Sequence, residues 1–214
     1  MNLNKIEIFK LDKVKRINLI NSITGIKPVL LVGTKCEVGI ANLGIFSSMV
    51  HISSRPPLIG FFVRCNKYVR RNTFDNIINQ EVYSLNHIHS SNVKEAHYTS
   101  IKFDKDISEF EKCNFTEHYI EDFSAPFVKE SEIRLGMRLK EIVDLKSSSS
   151  KLIVGEVENI FIKDSFLEDD FTLNLADSDS VSISGLNHYY INKKLVSLPY
   201  AREAHILKYY NSHL

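Results

Sequence analysis

The sequence contains no tryptophan and only eight glycines among its 214 residues. No two of these glycines are separated by a single residue, so the G-x-G-x-x-G fingerprint of Rossmann-type dinucleotide sites is absent. The Gly-rich P-loop that binds nucleotide phosphates in many NTPases is absent as well. We therefore expect neither of these two signatures to explain the chemistry of the protein.

Cysteine is scarce too, with Cys36, Cys65 and Cys113 as the complete set. The number is odd, the spacings are wide and no C-x-x-C pair occurs, which argues against a disulfide framework and against a zinc ribbon. Reduced, unpaired thiols are typical of the cytoplasm. We therefore predict a cytoplasmic protein.

Charge of one sign is not in excess, because 27 Lys and Arg residues are balanced by 26 Asp and Glu residues. A basic excess is what draws proteins to nucleic acids and anionic lipids, so neither partner is expected. Long hydrophobic runs are missing as well. The most apolar segments, Val29–Val32 and Leu58–Val63, are far shorter than the roughly 20 residues of a membrane-spanning helix.

The composition that remains is ordinary for a globular protein, with 43% apolar and 25% charged residues. The length favours a single domain over residues 1–214. Most apolar segments are short and many are β-branched, which predicts strands. The predicted strands are Pro28–Gly33, Cys36–Ala41, Leu58–Val63, Glu81–His87, Ile133–Val143 and Leu152–Ile162. The serine run before Leu152 predicts an exposed turn between the last two strands.

Helical patterns are fewer. Asn72 and Thr73 precede Phe74, Ile77 and Ile78, and a polar cap ahead of apolar residues at i, i+3 and i+4 predicts a helix start. Two further helices are predicted, over Asp12–Ser22 and Ser108–Lys112. At least six strands with scattered helices predict a mainly β fold, a barrel with peripheral helices.

A basic segment leads into the helix that is predicted to start near Thr73. Its four cations are Arg64, Lys67, Arg70 and Arg71. A helix N-terminus carries unpaired N–H groups and a positive dipole end, and the guanidinium fork suits phosphate. The segment therefore predicts an anion site sized for one phosphate. A solvated basic turn is the alternative interpretation.

Several segments carry a family resemblance. Three are Asn42-Leu43-x-x-Phe46-Ser47-Ser48, Ser54-x-Pro56-Pro57-Leu58-x-Gly60 and Arg71-Asn72-Thr73-x-x-Asn76-Ile77. Shorter matches follow in order: Ser108-Glu109-Phe110, Ala125-Pro126-x-Val128-x-Glu130-Ser131, Gly155-Glu156-Val157, Gly185-x-x-x-Tyr189 and Tyr200-Ala201-Arg202. This ordered set resembles the flavin reductase-like family of FMN-binding split barrels. The resemblance places the domain core at about residues 20–205.

The resemblance implies a six-stranded antiparallel Greek-key split barrel that binds FMN at the interface of a homodimer. The FMN-binding residues implied by motif position are Asn42 and Leu43, along the isoalloxazine ring, and Ser47, Ser48, Arg71 and Thr73, around the phosphate.

The activity that the resemblance favours is that of an NAD(P)H-dependent flavin oxidoreductase. NADH or NADPH would reduce FMN, and the electrons would pass to an acceptor. Hydride transfer to flavin needs no catalytic acid or base, and no catalytic residue or metal ligand is predicted. Two alternatives stay open: an electron-transfer flavoprotein that resembles flavoredoxin and is reduced by a redox partner protein, and a non-catalytic FMN-binding module.

Three further patterns carry less information. His87 and His89 could share one face of a strand as a metal pair, but edge-strand histidines are the favoured interpretation. The acidic residues between Glu109 and Asp122 are interpreted as solvated surface. The segment His188–Tyr190 could cover the flavin or pack as aromatic residues, and both interpretations stay open.

Overall fold

The computed structural model describes residues 1–64 and 72–202. Three cations of the basic segment, Lys67, Arg70 and Arg71, lie outside the described residues, and Arg64 lies within them. Strands dominate the described residues, as the sequence predicts.

Five α-helices lie within the described ranges. In chain order they are α1 (Lys5–Lys10), α2 (Lys13–Ser22), α3 (Asn72–Gln80), α4 (Val93–Tyr98) and α5 (Glu109–Lys112). The predicted helix over Asp12–Ser22 is confirmed. The Asp12 carboxylate caps α2 by accepting hydrogen bonds from the backbone amides of Val14 and Lys15. Helix α3 starts at Asn72, so Asn72 and Thr73 form its first turn.

Twelve strands lie in the same described ranges. In chain order they are β1 (Lys27–Pro28), β2 (Leu30–Lys35), β3 (Ala41–Phe46), β4 (Val50–Ser54), β5 (Pro57–Arg64), β6 (Val82–His87), β7 (Glu117–Ile120), β8 (Phe123–Val128), β9 (Arg134–Asp144), β10 (Ser150–Phe161), β11 (Val181–Ser184) and β12 (His188–Ile191). The long strands β9 and β10 pair antiparallel around the serine run, which confirms the predicted hairpin.

Seven of these strands form one antiparallel sheet in the order β3-β2-β6-β9-β10-β5-β4. Strands β3 and β4 occupy opposite edges of the sheet, although only residues 47–49 separate them along the chain. A connection of that length reaches at most about 14 Å. The two edges must therefore come close, and the sheet rolls into a barrel with an open seam.

Two sequence predictions about strands need correction. The main sheet has seven strands where the resemblance implied six. The sequence patterns missed β3, which follows the strand predicted over Cys36–Ala41, and β4, whose residues are nearly all exposed and lack a buried apolar pattern. The strand expected over Cys36–Ala41 is instead a turn that leads into β3. Gly39 adopts a φ of 91°, and its amide donates to the carbonyl of Cys36, which ends the extended backbone there.

Of the three clusters of buried residues in the core, the largest two lie on opposite faces of β2, one inside the barrel and one outside it. Leu30 and Val32 of β2 point inward to a cluster that contains Phe61 and Tyr83. Leu31, between them, points outward to a second cluster, the outer core cluster, which is covered by residues of α4 and α5. The alternation explains why β2 is apolar along both faces, as expected for a strand that is buried on both sides.

Smaller sheets complete the fold. Strands β1, β11 and β12 form a three-stranded sheet, and β7 pairs with β8. None of the helices in the described ranges is both long enough and apolar enough to cross a membrane.

Candidate functional site at the open edge of the barrel

Strand β3 has an open outer edge in the described part of the chain, where it pairs only with β2. In an antiparallel pair, residues alternate between those that bond the neighbouring strand and those whose N–H and C=O point away. The Leu43 amide points away, since it donates to Oε2 of Glu109 at 3.0 Å. By the same alternation, the C=O of Leu43 and the N–H of Ile45 also point outward. The edge therefore offers backbone donors and acceptors.

A cleft of about 460 Å³, here called cleft A, runs along this outer edge. Residues 42–46 of β3 form one wall, and Asn72 and Thr73 of α3 form another. The loop 99–105 and the side chain of Glu109 close the remaining sides. The cleft thus has a rigid strand and helix start on one side and a connecting loop on the other.

The polar side chains beneath cleft A bond to one another. Asn42 is 7% exposed, and its Nδ2 donates to Oγ1 of Thr34 at 3.2 Å and to Oγ1 of Thr73 at 3.0 Å. The Nδ2 of Asn76 donates to the same Thr34 oxygen at 3.1 Å. Because both Nδ2 hydrogens of Asn42 are engaged, the amide orientation is fixed, and its Oδ1 remains as the acceptor of this group.

Glu109 lies beside this network, and it is the one buried carboxylate among the residues that the structure describes. It is 7% exposed, and burial raises the pKa of the carboxyl above its ordinary value, although the hydrogen bond from the Leu43 amide opposes that rise. The prediction of a solvated surface is wrong for Glu109, because α5 packs this residue and Phe110 against the outer face of β3. The match of Ser108-Glu109-Phe110 to a family motif is the sequence signal that could have identified Glu109.

A second cleft, cleft B, has a volume of about 660 Å³ and lies at the seam of the barrel. The connection between β3 and β4 lines it, together with Arg64, Leu186 and the residues around the C-terminal end of α2. Ile45 and Phe46 line both clefts, so cleft A and cleft B meet at the end of β3.

The serine pair lies at this seam. The Oγ of Ser48 donates to the carbonyl of Phe62 at 3.2 Å and accepts from the Phe62 amide at 3.0 Å. Strand β4 pairs with β5 only as far as Gly60, so this hydroxyl takes the place of a missing strand partner. Ser47 lines cleft B, and no described residue is hydrogen-bonded to its hydroxyl.

The residues that the sequence assigned to FMN therefore fall into two groups. Asn42, Leu43 and Thr73 line cleft A, and Ser47 and Ser48 line cleft B. The Leu43 side chain is fully buried in the core, so this residue presents its backbone to the cleft. The sixth residue, Arg71, lies outside the described residues. Their roles toward FMN stay predictions.

The other singled-out residues lie away from these clefts. His87 hydrogen-bonds Ser180 at 3.3 Å, whereas His89 lies beyond the end of β6 and caps a short 3-10 helix, so the two do not share a strand face. The Tyr189 hydroxyl and Nδ1 of His97 are 3.0 Å apart, and the ring packs against the outer core cluster. This arrangement favours the packing interpretation of His188–Tyr190.

Comparison with known proteins bears on this architecture. The family model described as "Flavin reductase like domain" matches residues 26–184, which is most of the chain. The chain belongs to the flavin reductase-like family. This membership supports a flavin-related oxidoreductase role in general terms.

Solved structures agree with this family assignment. A candidate flavin reductase with a split barrel domain from Shewanella frigidimarina NCIMB 400 is 38% identical with a TM-score of 0.89, covering 94% of this chain and 100% of its own. Nitrilotriacetate monooxygenase component B from Bacillus cereus is 21% identical with a TM-score of 0.81, over 92% and 98%. The FMN-binding protein from Thermus thermophilus is 14% identical with a TM-score of 0.67, over 82% and 91%. The predicted split barrel is confirmed.

Proposed function

We propose that this flavin reductase-like chain is an FMN-binding oxidoreductase that takes electrons from NADH or NADPH and passes them to an acceptor. The observation that carries the proposal is the position of β3, whose open edge lies in cleft A and whose last two residues also line cleft B. Both clefts have volumes in the range of roughly 300–1,000 Å³ that small-molecule sites occupy. The FMN-binding relative from Thermus thermophilus supports the choice of FMN.

The edge of β3 fits the ring end of a flavin. The C=O of Leu43 and the N–H of Ile45 point outward as an adjacent acceptor and donor, and the pyrimidine part of an isoalloxazine carries N–H and C=O groups in the same plane. Asn42 adds its fixed Oδ1. These groups would bind and orient the ring along cleft A, and Phe46 would supply apolar contact at the junction of the clefts.

Cleft B fits a phosphate-bearing tail. The Ser47 hydroxyl is available as a donor, and Arg64 brings a cation to the same cleft. Lys27 also lines cleft B and already donates to the carbonyls of Asn21 and Gly185. We assign the phosphate to cleft B. Thr73, a phosphate ligand that the motif resemblance implies, lines cleft A instead, and Arg71 stays a candidate on the resemblance alone.

Bound FMN would supply two-electron chemistry, and the chain would supply binding, orientation and electrostatics. The loop 99–105 forms the side of cleft A that faces β3, so a nicotinamide ring would enter past this loop. The walls of cleft A would limit the directions from which that ring could approach a bound flavin.

We also propose a homodimer in the cytoplasm. Helices α1 and α2 contain no buried residue, and they expose Ile6, Phe9, Val14 and Ile20. Apolar surface of this kind is typical of a protein contact, and two-fold pairing is the commonest form of self-association. Light scattering should give twice 24.6 kDa at micromolar concentration, and a flavin-loaded species of 24.6 kDa would contradict the dimer.

Cofactor binding is tested with the purified protein. Its absorbance spectrum and a fluorescence titration with FMN are expected to show saturable binding, with released FMN identified by mass. FAD and riboflavin serve as comparison ligands. A protein that binds none of the three flavins would overturn the proposal.

Electron flow is tested by anaerobic stopped flow. The FMN-loaded protein should be bleached by NADH or NADPH, and EDTA should not change the rate. If dithionite bleaches the flavin but neither nicotinamide does, direct reductase activity is wrong. The electron-carrier function, with a redox partner protein as donor, would then replace it.

A further inference from the structure

Glu109 holds a carboxylate at the edge of cleft A without a cationic partner. It is 7% exposed, and its Oε2 accepts the outward-pointing amide of Leu43 at 3.0 Å. No described Lys, Arg or His forms an ion pair with it. Each other charged residue that lines the cleft, namely Lys102, Asp104 and Lys105, is exposed to solvent.

The groups behind Glu109 do not neutralise it. Cys113 packs in the same outer core cluster, and burial, with smaller contributions from the charges of Glu109 and Glu95, raises the pKa of its thiol to about 11. That thiol therefore stays neutral at physiological pH. Charges at the exposed rim are screened by water and salt, whereas a buried charge is screened much less. Glu109 is thus the charge that acts most strongly on the interior of cleft A.

We propose that Glu109 lowers the reduction potential of a flavin bound in cleft A. Two-electron reduction with uptake of one proton adds one negative charge to the flavin ring, and a nearby buried carboxylate opposes that charge. The inference rests on the proposed function, because it needs the flavin ring in cleft A. It assigns to this chain a residue that makes the reduced flavin a stronger electron donor.

The test compares Glu109→Gln with Glu111→Gln. The glutamine at position 109 keeps a carbonyl that can accept the Leu43 amide and removes the charge. Glu111 lies on the same helix but is exposed, so its substitution removes the same charge from solvent. Circular dichroism establishes folding, titration gives the affinity for oxidised FMN, and dye-linked reduction gives the midpoint potential of the bound FMN.

We expect Glu109→Gln to bind oxidised FMN as the parent protein does. Its affinity for reduced FMN, relative to that for oxidised FMN, should be about tenfold higher than in the parent protein. For a two-electron couple, that change is a rise of about 30 mV. Glu111→Gln should leave the potential unchanged. An unchanged potential in Glu109→Gln, or an equal rise in both variants, would overturn the inference.

Failure of flavin binding and failure of the variant to fold lead to different conclusions. If the parent protein binds no flavin, the proposed function fails and this inference fails with it. If Glu109→Gln does not fold, the midpoint potential of FMN bound to the parent protein tests the inference. The bound FMN should be reduced at a lower potential than free FMN under the same conditions. A potential equal to or above that of free FMN overturns the inference and leaves flavin binding intact.

Discussion

Cleft A and cleft B share Ile45 and Phe46, yet the two clefts are built differently. Beneath cleft A, the polar side chains of Thr34 and Asn42 are at most 7% exposed and bond to their neighbours. Around cleft B, Ile20 is 49% exposed, and the chain crosses the seam of the barrel. The β3 wall of cleft A therefore rests on a buried polar network, whereas nearly all residues that line cleft B are partly or fully exposed. Substitutions at the two clefts should therefore differ in how much of the free energy of unfolding they cost.

The largest effect is expected for Leu43→Ala beneath cleft A. Leu43 is fully buried in the outer core cluster, so the substitution leaves a cavity beneath β3. Such substitutions cost about 2–5 kcal/mol of the free energy of unfolding, which urea denaturation measures. Val50→Ala is the matched control at cleft B, since Val50 is 41% exposed and should cost well under 1 kcal/mol. Similar losses at both positions would contradict the contrast between the clefts.

Thr34→Val tests the polar network under the same cleft. The isosteric change removes the oxygen that accepts from Asn42 and Asn76, and buried donors without partners cost about 1–3 kcal/mol. Thr34→Ser keeps the hydroxyl and should restore most of the stability. Asn42 would also lose its fixed orientation, so FMN affinity should fall with Thr34→Val. Equal behaviour of the two variants would show that the network does not support the cleft.

The hydrophobic patterns predict β2, β5, β6 and the long hairpin of β9 and β10, whereas β8 is missed although residues on both of its faces are buried. Pro28–Gly33 and the pair around the serine run were readable because their hydrophobic patterns follow directly from burial. Strand β4 was missed because its residues are mostly exposed. A strand is predicted over Cys36–Ala41 where the structure has a turn, because φ at Gly39 depends on the hairpin geometry, which residue preference alone does not determine.

The part of the candidate site that lies in the ordered family motifs could be predicted from the sequence. Asn42, Leu43 and Thr73 do meet at one cleft, which the motif spacing alone could not have placed. Glu109 was missed as a buried group because it belongs to an acidic stretch, residues 109–122, whose other carboxylates are exposed. The burial of Glu109 depends on its contact with β3, 66 residues earlier in the chain. The pattern of charges in the neighbouring sequence cannot predict a contact of that separation.

Ser48→Ala tests the hydrogen bonds that close the barrel seam beside cleft B. The substitution leaves both the N–H and the C=O of Phe62 without the hydroxyl that bonds them. Because water can reach this half-buried edge, the expected loss is about 1 kcal/mol, less than at Thr34. Ser149→Ala, in the exposed turn between β9 and β10, is the control and should be neutral. A loss above that of Thr34→Val would show that closure of the seam outweighs the network.

The smallest stability effect, and the most specific ligand effect, is expected for Ser47→Ala. No described residue is hydrogen-bonded to the Ser47 hydroxyl, so removing it should change the free energy of unfolding by less than about 0.5 kcal/mol. If the phosphate of FMN lies in cleft B, the variant loses a hydrogen bond to a charged group, which is worth about 1.5–3 kcal/mol, or roughly 10- to 100-fold in affinity. Riboflavin has no phosphate and should bind equally to both proteins, which makes it the internal control in the same fluorescence titration. Equal weakening of both flavins, or of neither, would move the phosphate away from Ser47. Cleft B would then serve the barrel seam alone, and the phosphate would have to be sought beside Thr73 at the start of α3.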